Sequence, residues 1–360
     1  MKRIITYIFT ATLLFATTVR ADNATGCMML LNNIKASIDM VSFTSKQCEV
    51  KDQNAWLAAA REAKASLCDV MNVTFTNFDE DIYDIDLITS YDVSINARGT
   101  MSGKDANITY TFVYNPNYKY LRVSENSSLY YKLSIEERRV WDKIKKVCEG
   151  IQGTDYEKEK QIHDYIVANY TYTTGAIQSR SHTVTGLIED GEGVCEAYAT
   201  LFQLMCNISG VDCRIATGTL NGADHMWNIV KLDGQYYNVD VTSDDPVPDY
   251  EGRVRYTFFN IADTEFSKTH KADEGTVKCE GTTYNYYTYS NHIAHSKEDV
   301  VRILKESLEN KDYIYANFKT EGYVIKTKQE FLDIVGSVYK GKVGIAGEPG
   351  EEGEYFVTEL

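Results

Sequence analysis

Asp233-Gly234 is the most restrictive feature of this sequence. The pair lies between two strand-like runs, His225-Met226-Trp227-Asn228-Ile229-Val230-Lys231-Leu232 and Gln235-Tyr236-Tyr237-Asn238-Val239-Asp240-Val241. An Asp-Gly step in that setting closes a two-residue hairpin. The turn sets the register: Leu232 faces Gln235 and, counting outward, Trp227 faces Asp240 and His225 faces Thr242. Side chains alternate along strands, so His225 and Asp240 fall on one face as diagonal neighbours. A neutral imidazole needs such a partner to fix its tautomer. The pair is either a base with its orienting acid or a satisfied structural histidine, and register alone leaves both readings open.

Upstream, Gly191-Glu192-Gly193-Val194-Cys195-Glu196-Ala197-Tyr198 passes into an apolar-periodic run that stops at Gly210. Glycines followed by such a run describe a loop turning into a helix, with Val194, Tyr198, Leu201, Met205 and Ile208 inward and Gly210 as the stop. Cys195 then sits at a helix N-terminus, where the macrodipole and unpaired amides favour an anion and hence the reactive thiolate. The same amides would suit an oxyanion. By itself a cysteine there is also readable as a small core residue. Combined with the hairpin, the pattern is that of nucleophile, base and orienter.

The rest of the chain frames this centre. A length of 360 residues predicts two or three packed units. A net charge of −15 argues against nucleic-acid binding, which needs clustered Lys and Arg. Lys2-Arg3, the apolar stretch Ile4 to Thr18 and Val19-Arg20-Ala21 read as a signal peptide over 1–21, so a secreted, extracytoplasmic chain with no membrane span is expected. Cys27 is too far beyond that stretch to serve as a lipoprotein cysteine. In an oxidising compartment some of the eight cysteines could pair, with Cys206–Cys213 and pairs among Cys27, Cys48, Cys68 and Cys148 as candidates.

The helical spacing of Trp56, Leu57, Ala60, Ala63 and Leu67 predicts a helix from Gln53 to Met71 feeding a small antiparallel sheet. Ser134 caps a helix to Cys148. A second helix, Tyr156 to Tyr170, should turn Ile162, Tyr165, Ile166 and Asn169 to one face. Near the C-terminus a serine-capped helix, Lys297 to Glu309, leads into the strand-like 313–318. This echoes the N-terminal helix and strand and suggests a repeated module on both flanks. The expected domains are 22–133, an N-terminal α+β domain; 134–290, the catalytic domain; and 291–360, a small helix-strand module. His292 and His295 have an i, i+3 spacing but lack nearby acidic or cysteine ligands, so no metal is assigned.

Between Gln161 and Lys271 the chain resembles the transglutaminase-like superfamily, in particular its bacterial secreted branch, which is related to kyphoscoliosis-peptidase type proteins. Four stretches carry the likeness: Lys160 to Ile166, Gly193-Val194-Cys195-Glu196-Ala197-Tyr198, His225-Met226-Trp227-Asn228 and Tyr236 to Thr242. Ala197 stands where these relatives usually have glycine, and Ser243-Asp244-Asp245-Pro246 replaces Trp-Asp-Asp-Pro. The flanks, read from their own spacing, are small α+β domains, and the resemblance implies an α+β, papain-like core with the cysteine helix packed on an antiparallel sheet or barrel. It also implies a Cys195–His225–Asp240 triad acting as a cysteine peptidase or a transglutaminase, without cofactor, on a protein or peptide substrate. Trp227, Val194, Tyr198 and His182 are candidates for the substrate or oxyanion side. The rival reading is a non-catalytic scaffold that keeps the fold and uses its tyrosine-rich flanks, with 27 tyrosines in the whole chain, as an adhesive surface for protein or cell-wall polymer.

Overall fold

The computed structural model describes residues 44–90, 92–245, 247, 254–309 and 315–359. The expected signal peptide, Cys27, Pro246, Tyr313 and Ile314 lie outside them. The chain divides into two compact units, one running to Tyr114 and including Ser128–Ser134, the other comprising Asn115–Ser127 and everything from Ile135 onward.

In the first unit β1 (Ser45–Val50) passes through a helix, Gln53–Ala65, to β2 (Val70–Phe75), and β3 (Val93–Ser102) and β4 (Asp105–Tyr114) complete the sheet in the order β1-β2-β4-β3. The helix starts where the Asp52 side chain accepts the Ala55 amide, and it buries Trp56, Ala60 and Ala63. It ends earlier than its apolar spacing predicts. Leu67 adopts a left-handed φ of 49°, and the Cys68 amide turns back to the Ala63 carbonyl, which releases Met71 into β2.

The second unit is built around the cysteine helix, Cys195–Ser209. Two helices, Pro116–Glu125 and Asp155–Asn169, pack against it, and so does one strand of an antiparallel sheet. Ahead of it, β5 (Thr171–Tyr172) runs parallel to β6 (Glu192–Gly193). The antiparallel sheet contains β7 (Cys213–Leu220), β8 (Ala223–Leu232), β9 (Gln235–Val239) and β10 (His270–Ala272) in the order β10-β7-β8-β9. This is the α+β, papain-like arrangement expected from the sequence. Ala197, Tyr198, Leu201, Phe202 and Met205 are completely buried, each large apolar side chain contributing about 1.5–3 kcal/mol. Gly210, with φ 81°, closes the helix in a left-handed conformation that favours glycine.

The helix at Asp155–Asn169 turns Tyr156, Glu159, Ile162, His163, Ile166 and Val167 inward. Tyr165 is only half-buried and Asn169 is exposed, contrary to the expected face. Glu159 and His163 occupy the inner stripe because each finds a buried polar partner, which an apolar pattern cannot reveal.

The remainder of the unit repeats the topology of the first. Strand β11 (Ile293–Ala294) passes through the Ser296-capped helix Lys297–Leu308 to a parallel β12 (Tyr315–Thr320). A helix, Lys328–Val338, then leads to β13 (Val343–Ala346) and β14 (Glu354–Glu359), in the order β11-β12-β14-β13. Both sheets pair first with second strand in parallel, second with fourth antiparallel and fourth with third antiparallel. The helix-strand echo in the sequence is thus a repeated β-α-β plus hairpin module.

The seven described cysteines are all free thiols. Cys206 and Cys213 are neighbouring free thiols rather than the expected bridge. The pairs suggested among Cys48, Cys68 and Cys148 are likewise not formed. Among the described residues no helix is long and apolar enough to cross a membrane.

Candidate active site

Val194 is the extended N-cap residue and Cys195 the first residue of the cysteine helix. The loop ahead of it is held by backbone bonds from Thr173 N to the Gly193 carbonyl (2.9 Å) and from Val194 N to the Ser181 carbonyl (3.0 Å). The thiol is therefore placed at the helix tip by strand pairing on one side and by the helix's own geometry on the other, and it is half-buried.

The hairpin keeps the expected register from Leu232–Gln235 out to Asn228–Val239. Beyond that point the ladder stops, and the predicted pairing of Trp227 with Asp240 and of His225 with Thr242 is not formed. Asp240 instead caps a short helical turn, Val241–Asp244, by accepting the Ser243 amide (3.1 Å). This outcome still brings the side chains together. His225 Nε2 lies 2.8 Å from Asp240 Oδ2, and Cys195 is near enough to the same imidazole to favour its protonated form.

Asp240 is completely buried. Burial alone would raise its pKa. The hydrogen bonds from His225 and His270, followed by the charge on His225 and the Ser243 hydroxyl, instead hold it well below the usual carboxylate range. For His225, burial would lower the pKa, but Asp240 and then Cys195 push it up to about 10. An imidazole so placed, with a carboxylate on one side and a sulfur near the other, favours its protonated form.

The turn that carries Asp240 is fastened from several sides. His163 Nε2 reaches Asp244 Oδ2 at 3.2 Å, with both side chains fully buried. The Tyr198 hydroxyl donates to Asp245 Oδ2 at 2.6 Å. Three acids within one turn are thus tied to the hairpin, to the helix at Asp155–Asn169 and to the cysteine helix.

The four residues suggested for the substrate or oxyanion side are placed differently from one another. Trp227 is 1% exposed, and its indole N–H donates to Asn238 Oδ1 at 3.1 Å, so it is not aimed at an oxyanion. It walls the site instead, packing against Phe266, His270 and His225. Tyr198 is likewise a buried strut and Val194 the buried cap. His182, half-exposed, lies 2.9 Å through Nδ1 from Glu196 Oε2, and its carbonyl accepts from Asn117. Its tie is to the residue after the cysteine.

Two neighbours were not found from the sequence. Tyr172, on β5, is near enough to Cys195 and Asp240 that, after burial, their charges raise its hydroxyl pKa. The alternation Tyr170-Thr171-Tyr172 was the only signal for it. His270, 3.0 Å through Nε2 from Asp240 Oδ2, lies on the three-residue β10 with no turn motif to announce it. Among the described residues, His225, Asp240 and His270 form the set whose potential ligand atoms lie within 4.8 Å of one another. All three atoms are already engaged in hydrogen bonds, so a cation would have to displace two protons. His292 and His295 flank β11 rather than sharing a helix, and their Nδ1 atoms face the carbonyls of Asn317 and Glu321.

A family model for the transglutaminase-like superfamily matches residues 145–241. Human and mouse kyphoscoliosis peptidase are 30% and 29% identical over 104 residues, covering 25% of this chain and 16% of each relative. The match therefore spans only a small part of those proteins. A crystal structure described as that of a TGase shares 15% identity, covers 51% of this chain and 53% of its own, and has a TM-score of 0.28.

Proposed function

We propose, from the match of residues 145–241 to the transglutaminase-like superfamily, that this protein is a secreted cysteine-dependent acyl-transfer enzyme acting on peptide bonds or glutamine carboxamides. The observation that carries this reading is the placement of His225 between Asp240 and Cys195.

The Cys195 sulfur attacks the carbonyl carbon, and the electron pair displaced onto oxygen is met at the N-terminal turn of the cysteine helix. His225, oriented by Asp240, takes up the thiol proton as the sulfur attacks. His225 delivers that proton to the departing amine as the tetrahedral intermediate collapses to a thioester. It then acts as base for the acceptor, and Asp240 keeps the ring oriented throughout. Water as acceptor gives a peptidase or amidase, and a lysine amine gives a cross-link. The relatives named as peptidases favour water.

The test is to incubate the mature chain with denatured polypeptides and a biotinylated primary amine, following cleavage, amine incorporation and any acyl adduct on Cys195 by mass spectrometry. Cleavage or incorporation that disappears in Cys195→Ala supports the reading and identifies the acceptor. A chain that forms no adduct and yields neither product would be a scaffold.

A further inference from the structure

We infer that His270 is a positioning residue for the reaction proposed above, holding the Asp240 carboxylate in the one orientation that serves His225. The inference rests on that proposed reaction for its purpose, but its geometry stands independently. His225 and His270 approach the same oxygen, Oδ2, through their Nε2 atoms at 2.8 and 3.0 Å. The Ser243 hydroxyl also donates to Oδ2, and the Ser243 amide holds Oδ1 at 3.1 Å. With one oxygen fixed by backbone and the other bracketed from two strands, the carboxylate cannot rotate.

The surroundings of His270 suit an apolar ring. It stacks on Phe266 with centroids 3.8 Å apart and an interplanar angle of 13°, and meets Phe258 and Trp227 edge-on. Its side chain is completely buried. A phenylalanine would fill such a cage with no polar atom to satisfy, so a histidine there carries a burial cost that its hydrogen bonds must offset. Both ring nitrogens are used. Thr269 Oγ1 lies 2.9 Å from Nδ1. If the threonine hydroxyl donates to Nδ1, the ring proton is left on Nε2, where it can donate only to Asp240. A second effect follows: an additional donor keeps a fully buried carboxylate ionised, and the ionised form is the one that holds the charge on His225. The groups that bear on Asp240 are His225 from β8, His270 from β10, Ser243 from its own turn and, at longer range, Tyr172 from β5.

The experiment uses the full chain with His270→Leu and His270→Gln beside wild type, where glutamine restores an N–H donor. Two readouts are taken: the rate of Cys195 alkylation by iodoacetamide across pH, and the downfield imidazole N–H resonance of the His225–Asp240 bond by proton NMR. In His270→Leu the alkylation rate near neutral pH falls on the order of tenfold, as when a partner that orients a functional imidazole is removed. The acid limb of its profile moves to higher pH, because Asp240 takes up a proton sooner, and the His225 resonance shifts or broadens. His270→Gln recovers both. Unchanged profile and resonance in His270→Leu would reduce His270 to core filling, as would equal loss in both variants in step with lowered melting temperature. If wild-type Cys195 does not react at all, the proposed enzyme reading fails, and the resonance alone decides the positioning role.

Discussion

Replacing Asp240 with asparagine isolates the electrostatic part of the site, because it keeps the side chain's shape while removing its charge. The carboxylate accepts from His225, His270 and, twice, from Ser243, all in a fully buried position. Asparagine offers one acceptor oxygen and turns an NH₂ group toward donors. The difference between about 10 for His225 and its ordinary value of 6.5, at ~1.4 kcal/mol for each tenfold change, puts the net effect of burial, Asp240 and Cys195 together on the charged imidazole on the order of 5 kcal/mol. Breaking a buried pair by removing one partner costs about 3–5 kcal/mol. The expected loss at about pH 6 is therefore about 3–5 kcal/mol, read from urea unfolding midpoints with m unchanged. The sign of the pH dependence follows from the direction of the shift. A histidine whose pKa is raised on folding contributes stability that is complete below 6.5 and lost as pH rises through about 10. The gap between wild type and Asp240→Asn should thus shrink above pH 10 to the ~1 kcal/mol value of neutral hydrogen bonds. A gap below about 1 kcal/mol at about pH 6, or one that does not change between pH 6 and pH 10, would refute the charged-pair account.

Glu159 is fully buried, and burial pushes its carboxyl up to about 8 despite the amide donated by Asn260. Folding is therefore increasingly penalised as pH rises from 4.5 to about 8. Glu159→Gln should match wild type in melting temperature near pH 4.5 and exceed it near pH 8 by a few kcal/mol in stability. A Cβ at Gly218 would lie 2.1 Å from the Lys271 carbonyl oxygen. Gly218→Ala should therefore force β10 from β7, destabilise by about 1–3 kcal/mol in urea unfolding and slow Cys195 alkylation through displacement of His270. Leu201→Ala, under the cysteine helix, should cost about 2–5 kcal/mol by thermal unfolding, since the closely packed helix leaves little room for collapse.

The core of the site was legible because two local signals do not depend on the rest of the fold. An Asp-Gly turn sets hairpin register, and a glycine loop ahead of an apolar run sets a helix tip. The turn put His225 beside Asp240 and the glycine loop put Cys195 at a helix tip, while their meeting was implied by the resemblance to the transglutaminase-like superfamily. The register argument failed at its far end, where Asp240 leaves the strand to cap a turn, because a carboxylate can satisfy a helix N-terminus as readily as it can sit in a ladder. The same capping bond now fixes the acid. His270 was hidden for a different reason. It joins the site through a three-residue strand 45 positions beyond His225 in the chain, and such non-local pairing leaves no periodic trace. Trp227 and Tyr198 were visible as large aromatics beside the motifs, but only the structure shows that their polar atoms are spent on Asn238 and Asp245. The repeated flanking module was half-visible, as one helix and one strand on each side. Its hairpin halves share topology without a readable common pattern.

The most direct measurement is the rate of iodoacetamide labelling at about pH 6, resolved by mass spectrometry over every cysteine, for wild type and His225→Ala. Free thiols are largely protonated there, so ordinary cysteines react slowly. The six other described cysteines serve as internal controls. The account predicts fast labelling confined to Cys195 and its loss in His225→Ala. A Cys195 that labels no faster than buried Cys148 or Cys206, or that labels equally well without His225, would contradict it.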